Sequence, residues 1–140
     1  MKRLLFVSII LITVVVSVLA QKIDYTTYDV IAKTQNVTII VKNNDYRMVI
    51  GSLKKPKTSF LLGNSAEQVK QYIDKLTETI ERDQHIREKR MILFCGVPLS
   101  FSARGTGKNV RYCFQRIDNS LKFELKVADV KAITQCIETL

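Results

Sequence analysis

Residue types suited to chemistry are sparse in this sequence: one histidine, three cysteines, one glycine–lysine loop and a surplus of basic side chains. His85 falls beside Asp83, Gln84 and Glu88, away from the apolar stripe of a predicted helix, so it reads as a solvated surface residue. Glu81, Asp83 and Glu88 read as a charged helix face rather than an acid/base pair. With one histidine, a His-based metal site is not expected, and no cofactor is indicated.

Cys95, Cys113 and Cys136 lack C-x-x-C spacing, which points away from a dithiol redox motif or a zinc knuckle. An odd number permits at most one internal disulfide. Strand alternation puts Cys113 beside Arg111 and Gln115, while Cys136 borders the apolar face of the last helix. Cys95–Cys136 is therefore the expected pairing, with three free, partly buried thiols as the alternative. A small thiol-dependent enzyme remains a runner-up function.

Gly105-Thr106-Gly107-Lys108-Asn109 suggests a phosphate loop but fails in detail. Walker A requires glycine where Ser102 stands, and Ser or Thr where Asn109 stands. Paired glycines between two strand patterns predict a hairpin loop instead. Asn36-Val37-Thr38 has the form of a glycosylation sequon, a tripeptide frequent by chance.

Basic residues gather in three places: Lys54, Lys55 and Lys57; Arg87, Lys89 and Arg90; and Arg104, Lys108, Arg111 and Arg116. The first two are expected as a solvated turn and a helix end. The third is expected to share an open sheet face with Lys122 and Lys126, giving the candidate ligand-binding set Arg104, Lys108, Arg111, Arg116, Lys122 and Lys126. Phe101, Tyr112 and Phe114 belong to the apolar register, so the stacking platforms that single-stranded nucleic acid requires are missing and no clear nucleic-acid site is expected.

The elements that must position these residues follow from periodicity. Residues 1–20 have a basic start (Lys2-Arg3), an apolar run and the Val18-Leu19-Ala20 end of a cleaved signal, with an uncleaved anchor as the alternative. Residues 21–140 then suit one domain. Without Lys2 and Arg3 that domain carries 20 basic against 13 acidic residues, near +7. Such a surplus gives salt-sensitive attraction to anionic surfaces, or simply solubility.

Strands are expected at 26–33, 36–42, 46–53 and 58–62, and at 90–95, 99–104, 110–117 and 121–127. Ser65 with Gln68 forms a capping-box signature, opening a helix expected to run to about Glu88. A second helix is expected from about Asp129 to Leu140. The order is ββββα-ββββα, an α+β fold of antiparallel sheet with two helices on one face. At an offset of 64 positions, Asp45–Leu76 overlies Asn109–Leu140 with five identical pairs, among them Arg47/Arg111, Leu61/Leu125 and Ile73/Ile137. That fits an internal duplication, or two units sharing only apolar periodicity.

The expectation is an exported, periplasmic or secreted, non-enzymatic binding or accessory protein. It would use a sheet face for an anionic surface or polyanion, or a sheet edge for a protein partner by strand addition. The alternative is a membrane-anchored structural subunit of an envelope assembly, touching the membrane through residues 4–20 alone.

Overall fold

The computed structural model describes residues 23–85 and 87–140, and the expected signal or anchor lies outside them. The expected element order stands: strands β1 (Asp29–Lys33), β2 (Val37–Lys42), β3 (Asp45–Gly51) and β4 (Pro56–Gly63), helix α1 (Ala66–Asp83), strands β5 (Arg90–Phe94), β6 (Val97–Arg104), β7 (Arg111–Arg116) and β8 (Lys122–Lys126), and helix α2 (Val127–Glu138).

The strands form two four-stranded antiparallel meanders, β1-β2-β3-β4 (sheet A) and β5-β6-β7-β8 (sheet B), rather than one continuous sheet. The break falls at α1, which occupies the chain between β4 and β5. Those two strands meet through side chains, with the Phe60 and Phe94 ring centroids 5.2 Å apart.

Alternation explains which faces meet. Val37 and Ile39, Met48 and Ile50, and Phe60 and Leu62 turn inward from sheet A, while Phe101, Phe114, Phe123 and Leu125 turn inward from sheet B. Burying each large side chain favours folding by about 1.5–3 kcal/mol over leaving it exposed. The helices close this core with Val69, Ile73, Leu76 and Ile80 from α1, and Ile133 and Ile137 from α2. Helix α1 packs on β4, and α2 packs on β8 and, across the molecule, on β1.

Ser65 caps α1 as expected, its hydroxyl accepting the Gln68 N–H at 3.2 Å. Gln68 completes the cap one residue earlier than the usual box, its amide oxygen accepting from the Asn64 N–H at 3.0 Å. The helix ends at Asp83, short of the expected Glu88. Asp83 is buried on the same stripe as Leu76 and Ile80, and its carboxylate takes Arg82 at 3.2 Å and Arg90, the first residue of β5, at 3.9 Å.

The outer face of sheet A is covered at its centre, where Ile40 and Val49 are fully buried, while Val30 and Leu61 on the same face are about half exposed. The segment before β1 is tied to this face, with the Tyr25 hydroxyl on Ser59 Oγ at 2.6 Å and the Tyr28 hydroxyl donating to Asp45 Oδ2 at 2.7 Å. Sheet B differs. Its outer face carries exposed Arg104, Arg111, Lys122 and Lys126.

The offset of 64 matches buried residues of β2 with β6, β3 with β7, and α1 with α2 (Met48/Tyr112, Ile73/Ile137). It fails by one residue between β4 and β8, where Phe60 and Leu62 correspond to Phe123 and Leu125. The identical pair Leu61/Leu125 therefore joins a residue 53% exposed to one fully buried.

Candidate anion-binding cleft

A cleft of about 820 Å³ opens where β8 crosses the end of sheet A. The β1–β2 turn forms one wall, the β3–β4 turn another, and β8 the third. Five lysines line it: Lys33 from the first turn, Lys54 and Lys57 from the second, and Lys122 and Lys126 from the strand. All five are exposed. Glu124 is the one carboxylate among the lining residues, and Arg111 already engages it at 3.7 Å.

Local chemistry builds each wall. Thr34 Oγ1 accepts the Val37 N–H at 3.1 Å, closing the first turn. Gly51 donates its N–H to the Asn36 carbonyl at 3.0 Å, joining the two turns. Its φ of 93° and the approach of Lys57, whose backbone nitrogen would lie 3.1 Å from an added Cβ, leave only glycine unstrained there. Ser52 Oγ accepts the Lys55 N–H at 3.0 Å, bracing the turn that presents Lys54 and Lys57.

Buried Asp129 anchors the third wall. Its Oδ2 accepts the Lys126 N–H at 2.8 Å, capping α2, and the Asn36 amide at 3.0 Å, tying the first turn to α2. Burial pushes its pKa up, but donors from Lys126, Thr34 and Asn36 outweigh that and hold the carboxyl below its usual range. The Asn36 amide that a sequon would modify is thus a structural link, and Thr38 of the same tripeptide is buried.

The candidate residues divide. Lys122 and Lys126 line the cleft. Arg104, Arg111 and Lys126 stand side by side on adjacent strands of sheet B, through the pairs Arg104↔Arg111 and Arg111↔Lys126. Lys108 is exposed in the β6–β7 loop, in a short 3-10 turn (Gly107–Asn109) beyond the Arg104↔Arg111 pair, and it does not line the cleft. Gly105-Thr106-Gly107-Lys108 therefore joins two strands, as expected of a hairpin loop.

Arg116 is a correction to the expected face. It shares the inward register of Tyr112 and Phe114, and it bridges the sheets. Its Nη1 donates to Thr58 Oγ1 at 2.8 Å, its Nη2 donates to Asp118 Oδ2 at 2.7 Å, and its guanidinium lies 5.5 Å from the Phe60 ring centre. The arginine holds the Asp118 carboxyl below the usual carboxylate range. Counting by twos from Tyr112 places Arg116 inward, so the signal lay in the sequence.

The expected Cys95–Cys136 bridge is likewise corrected: all three cysteines are free. Cys95 sits in the β5–β6 turn with φ 53°, while the Cys136 thiol donates to the Ile31 carbonyl at 3.4 Å on the α2–β1 contact. Burial pushes the Cys95 thiol up to about 12 and also raises Cys113 and Cys136. His85 is exposed beyond the end of α1.

Sequence reasoning missed Lys33, Lys54 and Lys57 as site residues. Lys54 and Lys57 read as a solvated turn, and nothing local says that a strand from the other half of the chain lies opposite. Among the described residues, no group of His, Cys, Asp and Glu side chains suits a metal ion, and no helix is long and apolar enough to cross a membrane. Comparison with protein-family models, with curated proteins and with solved structures finds no match.

Proposed function

We propose that this chain is an exported, non-enzymatic binding protein that takes an anionic ligand in the cleft beside β8. The observation that carries the reading is the convergence of five lysines from three segments on one concavity whose single carboxylate is already paired. Cationic walls around a concave space focus potential and raise the local concentration of anions. Raised thiol pKa values at all three cysteines support the non-enzymatic part, because little nucleophilic thiolate forms at neutral pH. Export rests on the signal-like residues 1–20, and the mass of the mature protein tests it, since cleavage leaves Gln21 first.

Titration with a short sulfated oligosaccharide tests the cleft. The double substitution Lys54→Gln, Lys57→Gln should weaken binding and flatten its dependence on salt, each lost contact lowering the slope by about 1. Unchanged affinity and slope reject the reading.

One observation favours a second mode, strand addition. Strand β5 is an edge of sheet B, and its outward Met91 and Leu93 are 64% and 74% exposed. An edge of that composition is open to pairing with another strand. Leu93→Lys should abolish any partner held there and leave oligosaccharide binding intact.

A further inference from the structure

A second, smaller hollow of about 150 Å³ lies on the outer face of sheet B, and Lys122, Phe123 and Glu124 line both it and the cleft. Strand β8 is the ridge between them. The floor of the hollow is polar, with Ser100, Ser102, Cys113 and Gln115, and Lys89 and Arg104 stand at its rim. From this adjacency we infer that the ligand is a linear acidic polysaccharide lying over β8, one segment in the cleft and the next across the basic face of sheet B. The inference rests on the anion-binding reading of the cleft and extends it.

Two features favour an extended chain over a compact anion. Lys122 and Lys126 are four residues apart on one strand, about 13 Å at the usual rise, a spacing at which successive charges of one chain can each meet a lysine. The row Arg104, Arg111, Lys126 sets cations directly opposite one another on neighbouring strands. Like charges in that relation destabilise a sheet, and Glu124 offsets only part of the repulsion, through Arg111. A chain of regularly spaced negative charges would relieve the rest.

The chemistry of the track selects the polymer. Its aromatic residues, Phe114 and Phe123, are buried and offer no surface for stacking a base. The five basic residues of the cleft are lysines, which act as point charges, and Arg104 and Arg111 on the sheet face add planar guanidinium groups. The hydroxyls of Ser100 and Ser102 line the smaller hollow and match sugar hydroxyls.

The test is a length series of sulfated oligosaccharides against two variants of the full chain. Affinity should rise with length until both hollows are spanned. Arg104→Gln with Arg111→Gln should weaken the longest oligosaccharide about tenfold and lower its salt slope by about 2, while sparing the shortest. The same variant should melt no lower than the wild type, which separates lost contacts from lost folding. If the face variant binds the longest oligosaccharide as the wild type does, the extended path is wrong and only the cleft stands. If Lys54→Gln with Lys57→Gln changes nothing at any length, the cleft reading itself falls. Tighter binding of single-stranded DNA of equal charge would overturn the polysaccharide assignment.

Discussion

Two ionised side chains add polar links between the halves of the molecule to their shared apolar core. Asp129 ties the β1–β2 turn to α2, and Arg116 spans from sheet B to Thr58 and Phe60 of sheet A. Asp129→Asn should cost about 1–3 kcal/mol, because donors that now meet a charged acceptor would meet a weaker one. Its folded pKa lies below the ordinary value near 4. The stability it adds is therefore complete above pH 4 and is lost as pH falls through the depressed value. Urea midpoints measured from neutral to acid pH should decline more steeply for the wild type than for Asp129→Asn, and equal declines would refute the assignment. Arg116→Ala should cost a similar 1–3 kcal/mol, roughly, from lost hydrogen bonds and the contact with Phe60. It should leave oligosaccharide affinity of the folded protein unchanged, as an inward residue must. A loss of affinity equal to that of the lysine substitutions would return Arg116 to the binding face.

At the scale of elements, each helix and strand reports how local its determinants are. The alternation of Phe123 and Leu125 with Lys122, Glu124 and Lys126, and the stripe Val69, Ile73, Leu76, Ile80, depend only on near neighbours. Both are legible in the sequence and correct in the structure. The end of α1 was not legible, because Asp83, where the helix ends, is buried and lies 3.9 Å from Arg90, a contact that no helix propensity encodes. The β5–β6 turn places Cys95 at positive φ and partly buried, with its thiol held at about 12. Alkylation of the native protein near neutral pH should therefore be slow at Cys95, and the unfolded, unreduced protein should yield all three thiols. Recovery of a single thiol would restore the disulfide.

On the scale of the whole molecule, the two ββββα units share one core and are not independent. Helix α2 covers β1 as well as β8, and the rings of Phe60, Phe94 and Phe123 interlock between the sheets. A fragment ending at Asp83 should fail to fold alone, since Ile133 and Ile137 would no longer cover sheet A. Circular dichroism with a urea titration decides it: a cooperative transition in the fragment would mean that each unit is self-sufficient. The cleft has the same origin. It exists only because β8 of one unit crosses the turns of the other, so its lysines are brought together by the packing of the units.

The sequence by itself determined the ββββα-ββββα order, the inward residues of nearly every element, the Ser65 cap and the hairpin at Gly105–Lys108. Each depends on side-chain period or backbone preference within a few residues. Tertiary structure alone decided that the strands divide into two sheets, that Cys95 and Cys136 stay apart, and that Lys54 and Lys57 face Lys122 and Lys126. Those outcomes depend on contacts between segments far apart in the chain. Such contacts are set by how two amphipathic units close over a common core, and no local pattern records that choice.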